Sequence, residues 1–131
     1  MGSKAYDIGR TFEHRVQRYF QEQGWFCMLS AGSHSMADLM AATKDKPTVI
    51  IQCRRSAVPY FGGGKLSKIE FAELVEAHDK YGVVPLLAAY VKGGSIILTN
   101  LITQQSSEVR PKPVPRKKKN GIEEEYNESE L

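Results

Sequence analysis

Two cysteines, Cys27 and Cys53, are all that this 131-residue chain contains, and neither belongs to a CxxC or to a Cys/His spacing. A zinc finger or ribbon is excluded, and so is a small fold built on disulfides. Both cysteines lie in apolar runs, so two buried reduced thiols of an intracellular protein are expected. Long apolar runs are missing too: no stretch approaches the roughly 18 residues of a membrane span. The N-terminus lacks the apolar centre of a secretory signal. The expectation is a soluble, cytoplasmic chain with no membrane partner. Internal repeats are absent, and charge of either sign is only mildly in excess, with 18 Lys and Arg against 15 Asp and Glu. The whole excess of three lies in residues 1–107, which hold 12 basic and 9 acidic residues, while residues 108–131 hold six of each. A mild basic surplus is compatible with a polyanionic partner but does not decide for one.

What is present is apolar content of 41%, enough for one core and one domain. Ile8, Phe12, Val16, Tyr19 and Phe20 form a stripe at helical spacing, which predicts a helix over residues 7–23 with Asp7 as N-cap and Gly24 as stop. Residues 25–29, 37–42 and 48–53 are short runs of strand formers, the last two joined by the turn Lys44-Asp45-Lys46-Pro47. Pro59 and Gly62-Gly63-Gly64 mark residues 55–66 as a loop. Ser67-Lys68-Ile69-Glu70 matches a capping box, so a second helix starts there and closes at Gly82. Residues 83–91 and 95–101 read as strands around the turn Gly93-Gly94. After about residue 105 the composition changes. Pro111, Pro113 and Pro115 alternate, a basic run Arg116 to Lys119 follows, then an acidic run Glu123 to Glu125. Residues 106–131 are therefore expected to be a disordered charged tail behind a domain of residues 1–105.

The chemistry concentrates between Ser30 and Arg54. Asp38 opens one short apolar run, and the next, Val49-Ile50-Ile51, ends in Gln52-Cys53-Arg54. Two strands that end side by side and deliver polar groups to one spot are how a metal-dependent nuclease builds its site. The usual residues there would be Glu at 52 and Lys at 54. Phosphodiester hydrolysis calls for a hard divalent cation, Mg2+ or alternatively Mn2+, held by oxygen ligands. Asp38 is the anchor. Glu13 adds a second carboxylate if the first helix packs near the strand ends, Gln52 offers an amide oxygen, and Cys53 offers its backbone carbonyl. Arg54 stays protonated, so it cannot act as a base, but it can hold a phosphate and stabilise developing charge. Arg55, beside it, is a further phosphate contact. His34 is a candidate for proton transfer, though a loop histidine is more often a plain surface residue.

Gly9-Arg10-Thr11-Phe12-Glu13, Gly24-Trp25-Phe26, Ser30-Ala31-Gly32-Ser33, Ala37-Asp38-Leu39 and Ile51-Gln52-Cys53-Arg54 together resemble the archaeal-type Holliday junction resolvases of the PD-(D/E)XK nuclease superfamily. The resemblance covers about residues 5–101 and rests on the order and spacing of its pieces. It implies an α/β fold with a restriction-endonuclease-like core, a central mixed β-sheet flanked by α-helices. It also implies a homodimer that cuts four-way DNA junctions with Mg2+. By position, Glu13 matches the helix glutamate, Ser33 the loop serine and Asp38 the metal aspartate. Gln52 stands at the family's glutamate and Arg54 at its lysine, and His14 separates Glu13 from Arg15. Catalysis is thus expected of Glu13, Ser33, Asp38, Gln52 and Arg54. Metal ligation is expected of Glu13, Asp38, Gln52 and Cys53, and DNA contact of Arg10, Arg15, Arg55 and Lys65. Two other readings stay open. One is a junction-binding protein whose site is impaired by Gln52 and Arg54. The other is an interaction protein whose tail recruits a replication or recombination partner.

Overall fold

The computed structural model describes residues 4–30, 37–54, 66–91 and 93–113, with side chains from Arg10 onward. Its first element is helix α1, Lys4–Glu22. From Arg10 onward its buried residues are Phe12, Val16 and Phe20, with Tyr19 partly buried against the same core, as the spacing of the stripe predicts; the side chain of Ile8 lies outside the described residues. The helix begins before Asp7, which lies inside it and does not cap it. Gly24 ends it at φ 92, with Trp25 N–H reaching Phe20 O at 2.9 Å and Gly24 N–H reaching Gln21 O at 3.0 Å. These two bonds satisfy carbonyls that a helix end would leave unpaired, and only glycine takes that φ without strain.

Strands β1 (Phe26–Leu29), β2 (Leu39–Ala42) and β3 (Val49–Arg54) follow, then helix α2 (Lys68–Tyr81) and strands β4 (Val84–Tyr90), β5 (Ile96–Asn100) and β6 (Ser106–Val109). They form one six-stranded sheet in chain order. Every neighbouring pair is antiparallel except β3 and β4, which run parallel because α2 carries the chain back between them. The capping box at Ser67 and Glu70 is formed on both sides, and Gly82 closes α2 in the left-handed region at φ 75. The expected mixed sheet flanked by helices is what the chain folds into.

Alternation along β3 sorts the core into two layers. Val49 and Ile51 join Phe12, Val16 and Phe20 of α1, together with Cys27, Leu39 and Ala41. Ile50 joins Leu74 and Ala77 of α2, with Leu87 and Leu101. Each fully buried Leu or Ile contributes about 1.5–3 kcal/mol, and β3 is hydrophobic on both faces because a helix covers each.

Strand β6 corrects the expected boundary. Ser106–Val109 lies inside the segment read as a disordered tail, yet it pairs with β5 from Ile96↔Val109 to Thr99↔Ser106. Residues beyond it are held as well: Lys112 N–H donates to Glu22 Oε1 at 3.1 Å, and Arg18 Nη2 donates to Lys112 O at 2.6 Å. Ser-Ser-Glu-Val has no apolar run, so composition hides a strand held by ladder bonds and by charged side chains on backbone groups. The basic and acidic runs from residue 116 onward lie outside the described residues.

Candidate functional site

Because β3 and β4 are parallel, both finish at the same end of the sheet, and the antiparallel β2 starts there. Asp38 sits at that start. Its N–H donates to Ile51 O at 2.8 Å, and its Oδ2 accepts from Cys53 N–H at 2.8 Å. Backbone and side chain thus both fasten it to the last turn of β3. The hydrogen bond from Cys53 engages one carboxylate oxygen and leaves the second to meet another group.

Glu13 reaches the same place from α1. Its side chain is 21% exposed, and Arg10 Nη1 donates to its Oε1 at 3.0 Å. Burial pushes its carboxyl above the usual range, the negative charge of Asp38 pushes it further, and Arg10 offsets part of both. Two carboxylates that repel through a half-buried gap are a poor arrangement for a protein alone and a good one for a cation. Cys53 reports the same field. Burial raises its thiol well above the ordinary value, and the charges of Asp38 and Glu13 add to that. The other thiol, Cys27, is pushed up to about 11 by burial. Both are free, and neither has nucleophilic character at neutral pH.

Gln52 and Arg54 leave β3 on the opposite side from Cys53. Gln52 is opposite Leu87, which belongs to the α2 layer, whereas Cys53 is opposite Ala88 in the α1 layer. Extending the register Leu39↔Ile51 by one puts Asp38 opposite Gln52. Asp38 is therefore the hinge of the site, with Gln52 beside it in the sheet and Glu13 arriving from α1. Arg54 is engaged within the protein. Its Nη2 pairs with Glu70 Oε1 at 2.7 Å and its Nη1 donates to Cys53 O at 3.0 Å. The carbonyl expected as a metal ligand thus already accepts a hydrogen bond.

Glu70 is the residue that sequence reasoning missed here. It reads only as the acid of a capping box, and it does accept from Ser67 N–H at 3.0 Å. The same oxygen also holds Arg54 and so ties the end of β3 to the start of α2. The Ser67 N–H and then Arg54 hold its carboxyl below the usual range. The capping box was legible; the partner sixteen residues away was not.

Of the candidate DNA contacts, Arg10 is paired with Glu13, and Arg15 donates to the Gly94 carbonyl at the β4–β5 turn. Ser33, His34, Arg55 and Lys65 lie outside the described residues. Among the described residues no three His, Cys, Asp or Glu side chains gather as a metal cluster. The two carboxylates that do converge suit a hard, oxygen-seeking cation such as Mg2+, which needs only one or two. No helix among the described residues is long and apolar enough to cross a membrane.

A sequence model of the archaeal Holliday junction resolvase family (Hjc) matches residues 4–122. Among solved structures, the fold is similar to that of Archaeoglobus fulgidus Hjc, described as a Holliday junction resolvase from an archaeal hyperthermophile. The TM-score is 0.60 at 16% identity, over 78% of this chain and 88% of that one. At that identity the likeness speaks for the fold. No curated protein matches the chain.

Proposed function

The chain belongs to the archaeal Holliday junction resolvase family, and from that membership we propose that it cuts four-way DNA junctions as a divalent-metal-dependent endonuclease. The observation that carries this reading is the convergence of Glu13 and Asp38 at the end of β3, where burial first and the charge of Asp38 second hold the Glu13 carboxyl above its usual range. Glu13 and Asp38 would hold the cation, with Gln52 Oε1 as a neutral ligand beside Asp38. When bound, Mg2+ or Mn2+ would polarise a phosphate oxygen and make water more acidic. Asp38 is oriented for this by Cys53 N–H. Arg54 keeps a permanent positive charge at the strand end, where negative charge builds on the phosphate in the transition state. Glu70 fixes the direction in which that guanidinium points. Ser33 remains the loop serine of the proposed site. Arg10, Arg15, Arg55 and Lys65 are proposed to bind the phosphate backbone, so that junction shape rather than base sequence is read.

A homodimer is part of the proposal. Among the described residues, helix α2 packs on β4 in the middle of its face of the sheet and does not cover β1 and β2. Phe26, Met28 and Met40 are 67%, 50% and 47% exposed, and Tyr81 of α2 is 73% exposed beside them. They adjoin an apolar cleft walled by Leu29, Ala37, Ile50 and Ala77. Such a patch on an edge strand suits a second copy of the chain. A two-fold dimer would present two sites to a junction of near two-fold symmetry.

A second reading rests on Arg54. With its guanidinium committed to Glu70 and Cys53 O, and with a neutral amide at position 52, the protein would bind junctions without cutting them. One experiment separates the two. A labelled synthetic four-way junction is incubated with parent and Asp38→Asn protein, with and without Mg2+ or Mn2+. Metal-dependent paired cuts by the parent, lost in Asp38→Asn, support the nuclease. Tight binding with no cutting by the parent, and cutting by Gln52→Glu combined with Arg54→Lys, support the binding protein.

A further inference from the structure

Two arginines far apart in sequence meet over one glycine. Arg110, just beyond β6, donates from Nη1 to Gly93 O at 2.8 Å and from Nη2 to Ser95 Oγ at 3.0 Å. Arg15 of α1 donates to Gly94 O. A Cβ placed on Gly94 would lie 2.9 Å from Arg110 Nη1 and 2.9 Å from Arg15 Nη2. The two guanidinium ends therefore crowd one point, and the glycine, at φ 104, is what lets them approach.

Their charges are not compensated. Arg10, Arg18 and Arg54 pair with Glu13, Glu22 and Glu70, whereas Arg15 and Arg110 pair with no carboxylate among the described residues. Like charges at this separation repel, and carbonyl dipoles offset only part of that. A guanidinium has five donor hydrogens, of which one on Arg15 and two on Arg110 are used by the turn. The remaining donors and the excess charge call for an anion with several acceptor oxygens. Carboxylates and phosphates both qualify chemically.

Position decides between them. The β4–β5 turn lies at the end of the sheet where β3 and β4 finish, the end that carries Asp38. Asp38 is level with Leu87 and the turn begins after Val91, so the turn lies at least four residues of about 3.3 Å further along the strands and two to three strand steps of about 4.8 Å across the sheet, which puts the pair roughly 20 Å from Asp38. That is about six base-pair steps along a DNA duplex. We infer that Arg15 and Arg110, set by the Gly93–Gly94 turn, form a phosphodiester clamp that holds the backbone of one DNA arm about six base pairs from the phosphate at Asp38. The inference rests on the proposed junction nuclease, and it assigns a binding role to Arg110, which sequence reading leaves in the tail.

Glutamine at both positions keeps an amide donor for the turn carbonyls and removes the charge. Junction binding by the full chain is measured without divalent metal across a salt series. The Arg15→Gln, Arg110→Gln double variant is expected to bind at least about tenfold more weakly at low salt, with the log–log salt slope shallower by about 1 to 2. Unchanged affinity and slope in a folded variant overturn the clamp. Should the variant fail to fold, the parent decides. On adding duplex DNA, the guanidinium NMR signals of Arg15 and Arg110 should shift while that of Arg18 stays. Static Arg15 and Arg110 signals in a protein that binds DNA overturn the clamp. Inorganic phosphate alone is the control; shifts with phosphate but not with DNA reduce the pair to a small-anion site and overturn the assignment. A parent that binds junctions but never cuts them removes the nuclease reading and leaves the clamp standing on its salt slope. A parent that binds no DNA removes both.

Discussion

Cutting the chain after Gln105 removes β6, and the structure says what that leaves behind. Thr99 is 1% exposed, and its hydroxyl shares a 2.7 Å hydrogen bond with Ser106 Oγ. Without Ser106 this buried hydroxyl loses its partner, a penalty of about 1–3 kcal/mol. Val109 packs on the α1 layer opposite Ile96, and its loss uncovers apolar surface of about 1 kcal/mol. The residues removed no longer have to be ordered, which spares about 1–2 kcal/mol each in backbone entropy. Their own ladder bonds had offset that cost, so the net loss is set by what is uncovered on β5. The expected destabilisation is about 2–4 kcal/mol, which at roughly 4 °C per kcal/mol lowers Tm by about 8–16 °C. Truncation after Pro113, which keeps every contact of β6, should leave Tm near the parent. Thermal and urea unfolding of the three chains measures this. A Thr99→Val substitution sharpens it, costing about 1 kcal/mol in the full chain but nothing in the chain cut after Gln105, where the hydroxyl is already unpaired. If the chain ending at Gln105 melts with the parent, β6 contributes nothing and the reasoning fails.

Other expectations are as direct. Asp38→Asn should abolish cleavage while junction affinity in electrophoretic shift assays stays within a few-fold, because in the proposed mechanism the carboxylate serves the cation and not the DNA. Gln52→Glu should lower the Mg2+ concentration for half-maximal cutting by about tenfold, the factor that corresponds to 1.4 kcal/mol; an unchanged metal titration would remove Gln52 from the site. Glu13 has a folded pKa above its unfolded one, with burial the first cause and Asp38 the second, so its ionisation opposes folding. That contribution is present below the usual carboxylate range and is lost as pH rises through the raised value. Glu13→Gln should therefore melt higher than the metal-free parent at neutral pH and match it in acid, and added Mg2+ should stabilise the parent more than the variant. Met40→Glu together with Phe26→Glu should shift a dimer to monomer in light scattering without unfolding it, since both side chains are exposed in one copy.

The fold was legible where period and punctuation agree. The α1 stripe, Gly24, the Ser67–Glu70 box, Gly82 and the Gly93–Gly94 turn each have a physical reason to appear at a fixed position, and the structure uses all of them. Asp7 misled because a cap residue is also tolerated within the first turns of a helix. β6 escaped because edge strands need no apolar face of their own. Its hold comes from backbone pairing and from Arg18, Glu22 and Arg110, whose targets are carbonyls and amides that a sequence does not single out.

The candidate site divides along the same line. Asp38, Glu13 and the end of β3 are singled out in the sequence because residue type and spacing bear on chemistry directly; the structure places them near one another, and the family match over residues 4–122 agrees with the resemblance those residues carry. What could not be read is pairing at a distance. Arg54 in sequence is a free cation awaiting phosphate; in the structure Glu70 and Cys53 O already hold it. The pair is partly exposed, at 24% and 43%, so it contributes no more than about 1 kcal/mol to stability. That weakness has a functional consequence, because a phosphate with two full acceptor oxygens can displace a carboxylate whose hold is so modest. Glu70→Gln should keep the Ser67 cap through its amide oxygen, cost under about 1 kcal/mol, and release Arg54. If Glu70 positions Arg54 for the transition state, kcat should fall while junction affinity rises, since one negative charge near the DNA is gone. If Glu70 instead sequesters Arg54, both kcat and affinity should rise. An unchanged kcat and affinity in the folded variant would remove the Arg54–Glu70 pair from the mechanism.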